Sequence, residues 1–164
     1  MSKTRKHKPS IQHHHLLLRM ELETCPEKKD KREVTDIMES MLNDLNMKAL
    51  SKPHVYYVTT PHCNEGLTAI IPIQTSHLAF HFWKYPDADI LHNDRSRCLL
   101  ELDIYTCGAL SMKHVQDVVT HLTPYRPTHA DLHLFNRKTS LQTVKQLQWN
   151  GKVPWKEWVS SLKN

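Results

Sequence analysis

Glycine is scarce in this chain of 164 residues, which contains only Gly66, Gly108 and Gly151. A Walker phosphate-binding loop and a dinucleotide-binding fingerprint each need two or three glycines within a few residues. Because the three glycines lie far apart in the sequence, the chain can form neither motif. Nucleotide cofactors that bind to a glycine-rich loop are therefore excluded.

Closely spaced cysteine pairs and long apolar runs are also missing. The four cysteines show no C-x-x-C spacing, and a chain of this length can build a core without disulfides. The longest apolar run near the N terminus, Leu16–Leu18, is too short for a signal peptide or a membrane span. We therefore expect a soluble, cytoplasmic protein with reduced thiols and no membrane partner.

The formal net charge is +5, but the positive charge lies at the two ends of the chain. Residues 1–19 contain five basic and no acidic side chains, and residues 137–164 contain six basic and one acidic. The intervening residues 20–136 contain 11 basic and 16 acidic groups. A nucleic-acid-binding domain carries its positive charge on the folded surface. This distribution therefore argues against nucleic acid as a partner.

Hydrophobic periodicity predicts one α+β domain. Helical spacing predicts a helix over residues 31–46 and a second helix capped by Ser111. β-Branched, aromatic and alternating segments predict strands over residues 14–24, 55–59, 67–73, 77–83, 98–107 and 129–135. The resulting order, β-α-β-β-β-β-α-β, is typical of a two-layer sandwich with a mostly antiparallel sheet and two helices on one face. The other face is left for solvent, a ligand or a partner subunit.

Composition divides the chain into three parts. Residues 1–12 form a basic flexible arm, residues 13–136 a domain, and residues 137–164 a C-terminal extension. Three of the four tryptophans follow residue 148, so we expect the extension to pack against the domain rather than to remain free.

Two predicted strands place reactive side chains on the face away from the helices. Strand 77–83 carries His77, His81 and Trp83 there, and strand 98–107 carries Glu101, Asp103, Tyr105 and Cys107. Carboxylates, a thiol and imidazoles on one sheet face are compatible with proton transfer. The same pattern is also typical of a solvated sheet face, and the residue pattern alone leaves both interpretations open.

Zinc is a candidate ligand for a chain with 13 histidines and four cysteines. His77 and His81 lie four residues apart on a strand, which separates them by about 13 Å, too far to share one ion. His62 and Cys63 are adjacent, and their side chains are expected to diverge. No metal-ligand spacing is visible, and we expect no metal site.

Two segments carry a family resemblance. The run Leu67–Trp83 contains Ser-His-x-x-x-His-x-Trp, and Leu102–Gly108 contains Asp-x-x-Thr-Cys-Gly. This pair of motifs, in this order and within this succession of strands and helices, resembles the prokaryotic S-adenosylmethionine decarboxylase proenzymes. The resemblance covers about residues 13–136.

The resemblance implies a self-cleaving enzyme. Decarboxylation of an α-amino acid needs an electron sink, and members of this family make one, a pyruvoyl group, from an internal serine whose ketone forms a Schiff base with the substrate amine. Ser76 would be that serine, with cleavage between Thr75 and Ser76. The implied substrate is S-adenosylmethionine, in polyamine (spermidine) biosynthesis. The implied assembly is a homodimer of processed protomers.

The same resemblance assigns roles to five further residues. His81 matches the histidine that assists proton removal during self-cleavage, and Cys107 the cysteine that returns a proton to the substrate carbon. Thr68 stands where relatives have a serine that helps processing. Trp83 and His62 would contribute to substrate binding, His62 at the position of an aromatic ring near the adenine.

The chain also departs from the family pattern. Relatives usually have Ser-Glu-Ser-His where this chain has Gln74-Thr75-Ser76-His77, and the loop Lys84–Arg97 is longer than usual and ends with basic residues. The altered loop is also compatible with another function, a pyruvoyl-dependent decarboxylase of ornithine or arginine. Thr75, in place of the usual glutamate, is compatible with a third function, an uncleaved paralogue that acts as a binding or regulatory subunit.

Overall fold

A computed structural model of the chain describes residues 11–163. The predicted basic arm, residues 1–12, lies outside the described residues except for its last two positions. The helices are α1 (Lys31–Asp44), α2 (Met112–His121) and α3 (Trp155–Ser161). The strands are β1 (His14–Leu22), β2 (His54–Val58), β3 (Gly66–Ile73), β4 (Ser76–Trp83), β5 (Cys98–Thr106), β6 (Pro127–Asn136) and β7 (Gln142–Trp149). None of the helices within residues 11–163 is long and apolar enough to cross a lipid bilayer.

All seven strands form a single sheet in the order β2-β3-β4-β5-β1-β6-β7. Every neighbouring pair is antiparallel. The predicted α+β class with a mostly antiparallel sheet is therefore confirmed. The N-terminal strand β1 lies between β5 and β6, so it joins the two halves of the sheet.

The helices cover one face of the sheet, and the core lies between the two layers. Successive strand residues point to opposite faces, and alternate residues of β1, Leu16, Leu18, Met20 and Leu22, are buried. Helix α1 contributes Val34, Met38, Met41 and Leu42 to the same core, and helix α2 contributes Val115, Val118 and Val119. Each such side chain adds about 2 kcal/mol by leaving water. Helix α2 begins as predicted, because Ser111 Oγ accepts a hydrogen bond from the His114 N–H at 3.2 Å.

The C-terminal extension packs on the domain, in line with the expectation from its tryptophans. Strand β7 pairs with β6, and Trp149 at its end is buried. Helix α3 is attached to α2, because Gln116 Nε2 donates a hydrogen bond to the Val159 carbonyl at 2.9 Å. Residues 142–161 thus add one strand and one helix to the predicted order. The division of the chain at residue 136 stays a prediction.

The expectation of four reduced thiols is wrong for one pair, because the structure joins Cys25 and Cys98 in a disulfide. Cys98 opens β5 and stands opposite Leu22 of β1, and Cys25 follows the end of β1. Strand register therefore brings their Cα atoms to 5.3 Å, a relation that spacing along the sequence does not show. Cys63 and Cys107 are free thiols.

Replacement of Gly66 by Ala should strongly destabilise the fold. A Cβ at this position would lie 1.7 Å from the Phe82 carbonyl oxygen on the neighbouring strand, so the β3–β4 pairing would have to open. We expect the free energy of unfolding in urea to fall by about 3 kcal/mol.

Gly151→Ala is the matched control for this measurement. Gly151 has a φ of +79°, and the nearest atom to its added Cβ is at the ordinary contact distance of 3.6 Å. Only backbone strain remains there, so the expected loss is about 1 kcal/mol. Equal losses in the two variants would contradict the close strand approach at Gly66.

Candidate active site

The bond between Thr75 and Ser76 lies at a strained turn. Strands β3 and β4 are joined by only two residues, Gln74 and Thr75. Ser76, the first residue of β4, has a φ of +143°. A non-glycine residue in this region costs about 1–3 kcal/mol and persists only where its surroundings impose it. The predicted cleavage position is thus a point of stored backbone strain.

The neighbouring strand fixes the Thr75 peptide group. The Cys107 backbone N–H donates a hydrogen bond to the Thr75 carbonyl oxygen at 2.9 Å. Thr106 Oγ1 donates to Thr75 Oγ1 at 2.9 Å and accepts a hydrogen bond from the Gly108 N–H at the same distance. The carbonyl next to Ser76 is therefore held in place and polarised by an N–H donor, as in an oxyanion hole.

The predicted residues Thr68, His81 and Trp83 form a second cluster. Thr68 Oγ1 lies 2.5 Å from His81 Nδ1, because Thr68 and His81 are directly opposite in the β3–β4 ladder. The His81 and Trp83 rings lie 3.8 Å apart between centroids. Trp83 Nε1 in turn donates to Asn64 Oδ1 at 2.9 Å, which fixes the orientation of the indole.

The surroundings of His81 disfavour the charged form of its imidazole. Its Nε2 atom is buried and has no hydrogen-bond partner among residues 11–163. Burial lowers the pKa of His81 below its ordinary value, since a charged ring would lose its hydration there. A neutral imidazole with a free nitrogen can accept a proton from a group brought to it.

His62 lies beyond this cluster in an exposed position. Its ring stacks on Tyr85 with centroids 4.5 Å apart and planes inclined by 12°. Next to this pair, Trp83, Tyr85 and Glu101 line a depression of about 310 Å³. Exposed stacked rings beside a carboxylate can receive a flat, positively charged ligand.

One chain does not bring all the predicted residues together. Thr75, Ser76 and Cys107 lie at one end of β4, whereas Thr68, His81 and Trp83 lie toward the other. Ser76 and His81 are five positions apart on the same strand, which corresponds to about 16 Å. His81 therefore cannot take a proton directly from the Ser76 hydroxyl of its own chain.

The open face of the sheet has an apolar centre. A depression of about 560 Å³ lies over β1, β3, β4 and β5. Leu17, Ile70 and Ala79 form its apolar floor, and the carboxylates of Glu101 and Asp103 lie at its side. Leu17 and Ile70 are 40% and 44% exposed, an unusual exposure for large aliphatic residues near the middle of a sheet.

The long loop between β4 and β5 is anchored away from the apolar depression at the centre of the open face. Buried Glu21 accepts hydrogen bonds from His92 Nδ1, the His92 backbone N–H and the Ser96 hydroxyl, at 2.7, 2.9 and 2.8 Å. Burial acts to raise the pKa of Glu21, but these bonds outweigh it and hold that pKa at about 2. Of the two loop arginines, Arg95 pairs with Glu23 at 3.1 Å and Arg97 donates to backbone carbonyls of its own loop.

Sequence reasoning missed His15 and Arg137, which are linked to Asp103. Asp103 Oδ1 accepts a hydrogen bond from His15 Nε2 at 2.7 Å, and Arg137 Nη1 donates to His15 Nδ1 at 3.1 Å. His15 lies on β1 and Arg137 directly follows β6; because only the sheet order decides which strands neighbour each other, no spacing in the sequence signals these contacts. Among residues 11–163, no three His, Cys, Asp or Glu side chains converge in a way that could hold a metal ion.

The buried state of His81 predicts a pH-dependent contribution to stability. In a Ser76→Ala background, which removes the hydroxyl of the predicted self-cleavage, unfolding exposes His81, and its pKa rises to about 6.5. Below that pH the unfolded chain takes up a proton that the folded chain does not, so the free energy of unfolding falls as the pH falls. We expect His81→Gln to reduce this fall between about pH 7 and pH 5.5, measured by urea unfolding.

The control is His54→Gln, which removes an exposed histidine of β2. Its stability curve should run parallel to that of the parent. A His81→Gln curve that is also parallel to the parent would contradict a lowered pKa at His81.

Comparison with protein families identifies the family of this chain. The model of the S-adenosylmethionine decarboxylase family matches residues 15–138 of this chain, which is most of its length. The matched segment includes both clusters of predicted residues and the whole of strands β2 to β5. No curated protein matches the chain.

Proposed function

The chain belongs to the S-adenosylmethionine decarboxylase family, and we propose that it is a pyruvoyl-dependent decarboxylase that cleaves its own backbone between Thr75 and Ser76. The product would be decarboxylated S-adenosylmethionine for spermidine biosynthesis. The observation that carries this proposal is the geometry at residue 76. A serine with positive φ follows a carbonyl that an N–H donor already polarises.

Self-cleavage begins at the Thr75 carbonyl. The Ser76 hydroxyl attacks this carbon, the Thr75–Ser76 C–N bond breaks, and an ester replaces the amide. Elimination of the Thr75 carboxylate and hydrolysis then leave a ketone at residue 76 and release ammonia. That ketone supplies the electron sink that decarboxylation requires. Cleavage releases the backbone strain at Ser76, and this release favours the ester over the intact peptide.

The chain's own residues fit a pyruvoyl group at position 76. Cys107 is next to the cleaved peptide through its backbone bond to Thr75, and its thiol is free. In the proposal the Cys107 thiol delivers the proton that replaces the lost carboxylate on the substrate carbon. The sheet holds Cys107 in place, because the preceding Thr106 is paired with Ser76 in the β4–β5 ladder.

The charge of the open face favours a cationic substrate. Glu101 and Asp103 place two carboxylates at the larger depression, and Glu101 also borders the smaller one. A sulfonium or ammonium group is attracted to such a site, and Trp83 and Tyr85 offer ring faces for a purine. These features favour S-adenosylmethionine over ornithine or arginine, which have no aromatic group to stack.

A second copy of the chain would complete the site. Ser76 and His81 lie about 16 Å apart along β4, and the open face between them has exposed aliphatic residues. Packing of two open faces against each other would bury this patch and could bring His81 and Thr68 of one copy to Ser76 of the other. We therefore propose a homodimer in which each site draws on both protomers.

Intact mass spectrometry of the purified protein tests self-cleavage. We expect two chains of 75 and 89 residues, the longer one without an ordinary N-terminal serine. Ser76→Ala should give a single uncut species, because the attacking hydroxyl is gone, whereas Ser51→Ala, which removes an exposed serine, should cleave normally.

A wild-type protein that remains a single 19.3 kDa species would overturn the enzymatic proposal and leave the uncleaved binding subunit. Release of carbon dioxide from carboxyl-labelled S-adenosylmethionine, compared with ornithine and arginine, assigns the substrate. Faster release from either amino acid would overturn the assignment to S-adenosylmethionine alone.

Subunit mixing tests the shared site. Ser76→Ala and His81→Gln variants should each be nearly inactive alone, since every site of either homodimer lacks one residue. In an equal co-expressed mixture half the dimers are mixed and each has one complete site, so we expect about a quarter of wild-type activity per chain. A mixture that is no more active than its parents would show that Ser76 and His81 do not meet across a dimer.

A further inference from the structure

We propose that His77, oriented by Asp103, is the base that takes the Ser76 hydroxyl proton in the first step of self-cleavage. This inference rests on the proposed function, because it concerns how the cut is made. It assigns a catalytic role to His77 and a positioning role to Asp103, neither of which the motif comparison supplied.

The geometry begins at the reacting oxygen. Ser76 Oγ lies 3.1 Å from His77 Nδ1, within hydrogen-bond reach. On the other side of the ring, His77 Nε2 lies 3.7 Å from Asp103 Oδ2. A nucleophile, a base within reach and a carboxylate behind the base form the arrangement that activates hydroxyl nucleophiles in unrelated proteins.

One assignment of ring protons satisfies the whole network. An arginine side chain has only donors, so Arg137 donates to His15 Nδ1 and the His15 proton lies on Nε2, which donates to Asp103 Oδ1. The second oxygen of Asp103 is then available to the N–H of His77 Nε2. That tautomer leaves the His77 Nδ1 lone pair directed at Ser76 Oγ.

Ring contacts keep this network in place. The Arg137 guanidinium lies over the Tyr105 ring, 4.2 Å from its centroid. The His77 ring meets the same Tyr105 edge-on, with centroids 6.1 Å apart. Asp103 therefore lies between two histidines whose rings both contact Tyr105, an arrangement that keeps its carboxylate near His77.

His81 is a poorer candidate for this first step. It lies about 16 Å along the strand from Ser76, and its Nδ1 is occupied by Thr68 Oγ1 at 2.5 Å. A second copy could bring His81 to the site for a later proton transfer. For the first transfer, His77 of the same chain is a nearer acceptor, because it directly follows Ser76 and its Nδ1 is 3.1 Å from the Ser76 hydroxyl oxygen.

The step balances without any added reactant. As the bond from Ser76 Oγ to the Thr75 carbon forms, the hydroxyl proton moves to His77 Nδ1, and the oxyanion accepts the Cys107 N–H bond. Asp103 stabilises the resulting imidazolium. The C–N bond then breaks as the imidazolium returns this proton to the Ser76 nitrogen. The products are an ester, a free amine and a neutral His77.

Cleavage kinetics of the newly synthesised full chain test the assignment. After cell-free synthesis, the fraction cut is followed over time by mass spectrometry. We expect His77→Ala to slow cleavage by about 100-fold to 1,000-fold, the usual contribution of a general base. Added imidazole should restore part of the rate, because it can occupy the vacated space and accept the proton. His54→Ala, an exposed histidine on β2, should cleave at the wild-type rate.

Asp103 is tested by paired variants. Asp103→Asn should slow cleavage, because an amide cannot stabilise the imidazolium, and Asp103→Glu should recover much of the rate. Hydroxylamine, which captures esters, should yield less Thr75 hydroxamate from His77→Ala than from wild type at early times, since the ester forms more slowly.

The outcomes separate this inference from the proposed function. A wild-type chain that never cleaves would overturn both. Wild-type cleavage together with an equally fast His77→Ala would overturn the inference and leave the function intact. A slow His77→Ala chain with native circular dichroism but no response to imidazole would also overturn the inference, because the loss would then be structural.

Discussion

The hydrogen bond from the Cys107 N–H to the Thr75 carbonyl connects the two parts of the proposed chemistry. It joins a turn between β3 and β4 to the end of β5, segments that are 32 positions apart in the chain. The antiparallel pairing of β4 with β5, in which Ser76 stands opposite Thr106, makes this bond possible. A shift of one residue would turn every side chain of β4 to the opposite face and would separate the Thr75 carbonyl from the Cys107 N–H that polarises it.

The two faces of the sheet differ in role: one packs the core, and the other carries the candidate active-site residues. The helix-covered face holds an apolar core in which Phe82, Leu100 and Leu102 are buried. The open face holds imidazoles and carboxylates linked by hydrogen bonds, and a phenol, Tyr105, in contact with two of the imidazole rings. The core makes the strands rigid, so polar groups on the other face keep their mutual distances without packing of their own. The pairing of β4 with β5 and the Cys107 N–H bond to the Thr75 carbonyl also hold Ser76 in its strained conformation.

Several polar side chains of the open face act in two separate groups. Ser76, His77, Asp103 and His15 form one group, in which the His77–Asp103 contact is 3.7 Å long and the other neighbours are hydrogen-bonded. Thr68, His81 and Trp83 form another, through a hydrogen bond and a ring contact. The exposed aliphatic patch with Leu17 and Ile70 lies between them. This arrangement is consistent with the proposed homodimer, in which the apolar patch would be the contact between copies and the motif residues of one chain would meet those of the other.

The sequence alone determined the strand and helix periods, the two faces of β4 and β5, and the motifs that identified Ser76 and Cys107. These features are local, because side-chain direction repeats every two residues in a strand and every 3.6 in a helix. Only the tertiary structure decided that β1 lies between β5 and β6, that Cys25 bonds to Cys98, that His15 reaches Asp103, and that Arg137 reaches His15. Such contacts depend on strand order and register across long stretches of chain, which hydrophobic alternation leaves open because many orders bury the same residues.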